Sequence, residues 1–299
     1  MQERKQTLGI DIYTRLDMTS KESLQMRETI TDVKELCRIS QKTIFWSEPA
    51  EHLLRFIVDY DGGRLCPDRC NAYEPIRLKF DRNDISAPIE WVSQVGSAVL
   101  LKKNRPFPYV AQIENQRHML LWEGTGKKQK LMPRRPDQVF LTKIDFWIDT
   151  KVLKVTSPEY LRQFFIDLFL VAEGDYGFMT LEADNKNKNY LITRERLGQR
   201  MRYVGRDLEK CLPGVYWINI FGREYVDWFG RERLASVPCF RREELKDGSV
   251  LVQSAEDMHY FETEEAINAE KIIDHLGRDA FFDIKQPERA CRVPDFTKW

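Results

Sequence analysis

The stretch CLPGVYWINIFGREYVDWFGRERL, residues 211–234, decides the fold of this chain. Pro213 and Gly214 punctuate its start, and 215–221 is a β-branched and aromatic run suited to a pleated, buried strand. Tyr216, Ile218 and Ile220 would share one face. Val215, Trp217 and Phe221 surround Asn219 on the other, so both faces are expected to be covered. An enclosed amide needs hydrogen-bond partners, which makes Asn219 a structural side chain rather than a catalytic one. Gly222 turns the chain, Tyr225, Trp228 and Phe229 recur at helical spacing, and Gly230 stands where a helix stops. The stretch predicts a strand feeding a short helix, with Trp217 and Trp228 largely buried.

Toward the C-terminus, 240–245 and 249–254 flank Asp247-Gly248, a tight-turn signal between antiparallel strands. Thr263 is expected to cap a helix that buries Ala269, Ile272, Ile273 and Leu276 and stops at Gly277, and 285–299, with Pro287 and Pro294, reads as an extended tail. Toward the N-terminus, 139–148 alternates as a strand. Ser157-Pro158-Glu159 combines an N-cap, a first-turn proline and an acid at the positive end of the helix dipole. Leu161, Phe164, Phe165, Leu168 and Ala172 form that helix's apolar stripe, closed by Gly174. A strand over 177–183, a solvated turn over 185–189 and a basic helix over 193–203 complete this half.

The first half is patterned more weakly: helices over 20–37, 47–60 and 83–91, and strands over 42–46, 73–80, 97–101, 109–113 and 119–122. The run EGTGKKQKLMPRRPDQ, 123–138, has too few apolar residues to be core and reads as an exposed basic connection. We place the domain boundary there, giving an N-terminal module at 1–125, a C-terminal module at 136–284 and the tail at 285–299. The element order predicts an α+β fold with mixed, largely antiparallel sheets and helices packed on one face. The helix of 47–60 stands against that of 157–172 as a candidate for two related halves, although identity between them does not establish duplication.

The chain has 299 residues, 42% apolar residues and zero formal net charge, which indicates neither disorder nor bulk attraction to nucleic acid or membrane. Charge is locally uneven: 102–135 holds nine basic and two acidic residues, and 256–270 holds six acidic and no basic residues. The six cysteines, Cys37, Cys66, Cys70, Cys211, Cys239 and Cys291, show no paired framework and are expected to be reduced. Four isolated histidines supply no second close ligand pair for zinc, so neither metal nor cofactor is expected. Asp167 interrupts the longest apolar run, and MQERKQTLGI lacks a secretory core. A cytoplasmic location follows as the expectation.

No phosphate loop, dinucleotide loop, metalloprotease helix, nucleophile elbow or close Ser, His and Asp set is present, so no catalytic residue is assigned. Gly124-Thr125-Gly126-Lys127-Lys128 lacks the phosphate-loop spacing. Glu182-Ala183-Asp184 followed by Lys186 only faintly resembles a metal-dependent nuclease cluster. Phe107, Tyr109 and Trp122 interleave with the basic stretch and leave open a second reading, an enzyme or binding protein acting on nucleotides or nucleic acid through that segment.

LPGVYWINIFGREYVDWFGRERL, followed by the strand around GSVLVQ, resembles a segment of bacterial polymorphic-toxin immunity proteins, and DRCNAYEPIRLKFD with AVLLKKNRPFPYVAQI is similar to their N-terminal half. The resemblance implies a cytoplasmic, non-catalytic inhibitor that binds a cognate toxin delivered by a type VI or contact-dependent system. On that reading Glu256, Asp257, Glu262, Glu264 and Glu265 are the candidate toxin-binding residues, since they form a loop-borne acidic run that can meet a basic partner.

Overall fold

The protein is α+β. The computed structural model describes residues 7–15, 89–90, 97–100, 109–114, 118–123, 128–133, 142–149, 157–195 and 198–296. The helices expected at 20–37 and 47–60 and the strands at 42–46 and 73–80 lie outside them. The chain forms two compact units, residues 11–174 and residues 1–10 with 175–299. The sequence reading set its boundary within 123–138.

Strand β1 (Thr7–Thr14), which sequence reading passed over, divides between the units at Ile10/Asp11. In unit 11–174 the strand order continues through β7 (Thr142–Asp149), β4 (Tyr109–Glu114), β3 (Ser97–Leu100) and β2 (Ile89–Glu90), with β7, β4, β3 and β2 antiparallel in turn. Ile89–Glu90 was expected in a helix and is a strand because it finds a partner in β3. β5 (His118–Glu123) and β6 (Lys128–Pro133) form a separate antiparallel hairpin. The supposed basic connection therefore contains a strand. A ladder is held by backbone groups, which lysine supplies as any residue but proline does.

Helix α1 (Pro158–Val171) starts as expected: Ser157 Oγ accepts from the Tyr160 N–H at 3.2 Å, and Pro158 occupies the first turn. Leu161, Phe164, Phe165 and Leu168 are fully buried, and Phe164 meets Phe146 of β7 edge-on at 5.1 Å. The exit differs from expectation. Glu173, not Gly174, takes the positive φ, at 45°. Gly174 is needed for space, because a Cβ there would run into the Phe169 ring. Lys143 of β7 bridges two carboxylates, Asp11 at 2.9 Å and Asp145, and all three are buried. Burial holds the Asp145 carboxyl well above its ordinary range, against the opposing pull of Lys143.

The other unit carries the decisive stretch. Its strands run β12 (Arg241–Glu244), β13 (Val250–Gln253), β11 (Ile218–Phe221), β8 (Gly174–Leu181), then the Thr7–Ile10 part of β1. β11 lies antiparallel between β8 and β13, covered on both faces as predicted. The strand is shorter than 215–221: 213–217 is buried but irregular. The hairpin at Asp247-Gly248 forms as read, with Leu245 N–H donating to Ser249 O at 2.8 Å and Gly248 at φ 87°.

Two readings between β8 and β11 are corrected. The expected solvated turn at 185–189 belongs to helix α2 (Glu182–Asn189), in which Asp184, Asn185 and Asn189 are buried. The expected basic helix at 193–203 is a hairpin of β9 (Tyr190–Glu195) and β10 (Gly198–Tyr203), antiparallel throughout. Its charged residues fit the period of two as well as that of a helix, and β-branched and aromatic residues tip it to strand.

α3 (Arg223–Phe229) and α4 (Arg231–Ala235) follow, separated by Gly230 at φ 90°. α5 (Ala266–Leu276) buries the predicted face and ends at Gly277. Thr263 precedes the first turn; its Oγ1 accepts from Glu265 N–H, and Glu265 occupies the cap position. Trp217 is buried, whereas Trp228 is half-buried, with the Arg292 guanidinium 4.3 Å above its ring. Cys211 and Cys291 are joined in a disulfide, Cα atoms 5.3 Å apart and 80 residues apart in sequence, which overturns the expectation that every cysteine is reduced. Spacing could not show it, because the fold brings the two together. With it goes the cysteine argument for a reducing compartment. Cys239 is free, and burial raises its thiol. Cys37, Cys66 and Cys70 lie outside the described residues.

Candidate functional site

Beneath the surface of unit 1–10 with 175–299 lies a polar frame built on the decisive stretch. Asn219 has the structural role predicted for it: Oδ1 accepts from Tyr216 N–H at 3.1 Å and Tyr176 OH at 3.4 Å, and Nδ2 donates to Tyr216 O at 3.0 Å. Tyr176 OH also donates to Gly214 O, and Asn189 Nδ2 to Val204 O and Pro213 O, each at 3.0 Å. These side chains satisfy the irregular 213–217 backbone in place of a ladder.

Asp184, on the first turn of α2, accepts from Thr180 Oγ1 at 2.9 Å, Tyr260 OH at 2.9 Å and Lys188 Nζ at 3.0 Å. Lys188 also donates to Val215 O and Tyr260 OH at 2.7 Å each and lies over the Tyr216 and Tyr260 rings. Burial lowers the lysine's pKa and pushes the Tyr260 phenol well above its usual range, helped in the latter case by Asp184. Such shifts also mark catalytic groups. Here every member is committed to a neighbour, so the cluster is a strut between α2 and 260–262. Asp184, briefly a metal-ligand candidate, is spent in it, and no cluster of His, Cys, Asp or Glu that could hold a metal ion occurs among the described residues. Sequence reading missed the strut. Its one signal was the four-residue spacing of Asp184 and Lys188.

The strut and Trp217 together fix the acidic run. Trp217 Nε1 donates to Ala255 O at 3.1 Å and Glu256 O at 3.3 Å, Ser254 N–H donates to Trp217 O at 2.9 Å, and Met258 and Tyr260 point inward. Between and beyond these anchors Glu256, Asp257, Glu262, Glu264 and Glu265 are all exposed, so the segment brings the candidate residues to one short stretch of surface. Asp257 Oδ1 accepts from His259 N–H at 2.8 Å, a turn contact. None of the five forms an ion pair among the described residues, whereas Glu270, the sixth acid of the run, pairs with Arg278 at 2.7 Å. Ile267, on the first turn of α5, is 56% exposed and gives the acidic stretch an apolar neighbour.

No family model matches the chain, and no curated protein matches it. Among solved structures, the chain described as "Pseudomonas aeruginosa T6SS protein PA0821" is similar to this one at 14% identity, covering 91% of this chain and 72% of that chain, with a TM-score of 0.40.

A cavity of about 490 Å³ lies elsewhere in the same unit, lined by Leu191, Val204, Phe282, Arg289 and the Cys211–Cys291 disulfide among others. Asp207 and Lys210 at its rim pair with each other at 2.9 Å. The basic stretch 102–135 contributes β4, β5 and β6; the positions of its lysine, arginine and aromatic side chains lie outside the described residues. No helix among the described residues is long and apolar enough to cross a membrane.

Proposed function

We propose that this chain is a non-catalytic immunity protein that binds and neutralises a cognate bacterial toxin through the 256–265 surface. The observation that carries the reading is the division of labour in that segment: Trp217, Met258 and Tyr260 hold it from within, while its five carboxylates are exposed and form no ion pair among the described residues. A pre-ordered acidic surface loses little entropy on docking and steers a basic partner toward itself. Ile267 supplies the apolar contact that a charged rim needs beside it.

The test is co-expression with each candidate toxin found among the neighbouring genes, followed by association kinetics with the purified pair. The wild-type chain should restore growth. Reversal of Glu256, Asp257 and Glu262 to lysine should slow association about tenfold or more at low salt, with the gap closing as salt screens the charges. An unchanged rate at low salt would remove this surface from the interface. Failure of the wild-type chain to protect against any neighbouring toxin would remove the immunity reading and turn attention to nucleic acid and the basic stretch.

A further inference from the structure

The segment after η-turn Arg278–Ala280 crosses its unit without regular structure, and its attachments are of two kinds. The polar ones are exposed or shared with backbone: Arg289 Nη2 donates to Phe281 O at 2.7 Å and Arg278 O at 3.1 Å, Arg292 N–H donates to Asp279 O at 2.8 Å, and Arg292 Nε donates to Asp279 Oδ2 at 2.9 Å while its guanidinium covers Trp228. The exposed Arg292–Asp279 ion pair holds weakly. The strong attachment is covalent, from half-exposed Cys291 to buried Cys211. Cys211 neighbours Leu212, whose backbone exchanges hydrogen bonds with Ala280 and Phe282 and so belongs to the body of the unit. Pro287 to Cys291 also form one wall of the cavity that Leu191, Val204 and Phe282 line from the body side.

We propose that residues 285–292 are a redox-controlled strap, closed across the cavity and Trp228 while the disulfide persists and released when a dithiol reductant of the thioredoxin type reaches it. The reductant's thiolate attacks Cys291 Sγ, the sulfur of the more exposed cysteine. The S–S bond breaks, a mixed disulfide forms on Cys291, and Cys211 leaves as a thiolate that takes up a proton. The reductant's second thiol then attacks its own first sulfur and displaces Cys291 as a thiolate that takes up a proton, so the strap and the body each gain one thiol and the reductant leaves as its disulfide. In an oxidising compartment the strap stays shut; where thiols are kept reduced it opens and uncovers both Trp228 and the cavity.

Limited trypsin digestion of the whole chain, oxidised and after dithiothreitol, tests the strap. Mass spectrometry of the oxidised protein should show one linked peptide pair carrying Cys211 and Cys291. Reduction should raise cleavage after Arg289 and Arg292 at least tenfold more than cleavage at sites on α3, α4 and β12. Cys291→Ser should match the reduced wild type without reductant. The proposal is overturned if the linked pair is absent, if cleavage at Arg289 and Arg292 is the same in both states, or if reduction exposes α3, α4 and β12 equally. That last outcome would make the disulfide a staple of the whole unit. Since the wild type alone gives each outcome, a variant that fails to fold leaves the test intact.

Discussion

At the scale of single residues, buried polar groups carry the sharpest expectations. Asp145 is one of two carboxylates sharing Lys143, and burial raises its pKa. With a raised folded-state value, the native protein keeps the proton in the interval above 3.8 where the unfolded chain has lost it, so the associated stability is complete below 3.8 and lost as pH rises through the folded value. Asp145→Asn should therefore match the wild type in acid and equal or exceed its stability by about 1 kcal/mol at neutral pH, while Lys143→Met, leaving two uncompensated carboxylates, should cost about 3–5 kcal/mol. Denaturant titrations at several pH values check both. Asn219→Ala should cost about 2 kcal/mol, since it strands the Tyr216 N–H and C=O in the core. The structural role of Asn219 was legible because a polar residue within an apolar run has little alternative. Asp184, Lys188 and Tyr260 were not, because their meeting spans 76 residues of sequence.

Among elements, those whose signals are local were the readable ones. The Ser157-Pro158 start of α1, the Asp247-Gly248 hairpin and the Gly230 stop after α3 each depend on a few adjacent residues, and each stands where the sequence put it. α2 was lost because EADNKNKN has no apolar stripe; its buried face is Asp184, Asn185 and Asn189, which are inside only because other elements bring partners to them. β9 and β10 were lost to a shared periodicity. The exit of α1 offers a paired test. Gly174→Ala should destabilise by about 1–3 kcal/mol through the Phe169 ring, whereas Glu173→Gly should stabilise by up to about 1 kcal/mol by relieving a positive φ at a side-chain-bearing residue. Melting temperatures moving in opposite directions would bear this out.

For the whole molecule, α+β class was legible from element order, whereas β1 and the disulfide were not, because both are long-range features with faint local signatures. Closing 80 residues removes denatured-state entropy worth roughly 4–5 kcal/mol on the chain-entropy estimate. Cys291→Ser should thus lower the denaturation midpoint by a corresponding amount, measurable in urea under non-reducing conditions. The strand at the end of unit 1–10 with 175–299 bears on how copies of the chain meet. β12 reads Arg241, Arg242, Glu243, Glu244 and has β13 as its one strand neighbour among the described residues. When two identical strands pair antiparallel about a twofold axis, alternation of the outward backbone groups obliges one residue to sit opposite itself. Every residue of β12 is charged, so each available register sets arginine against arginine or glutamate against glutamate at the axis, which is unfavourable. A foreign strand meets no such rule. The edge is therefore guarded against its own copies more strongly than against other chains, and concentrated protein should resist the fibrillar stacking that an open sheet margin invites.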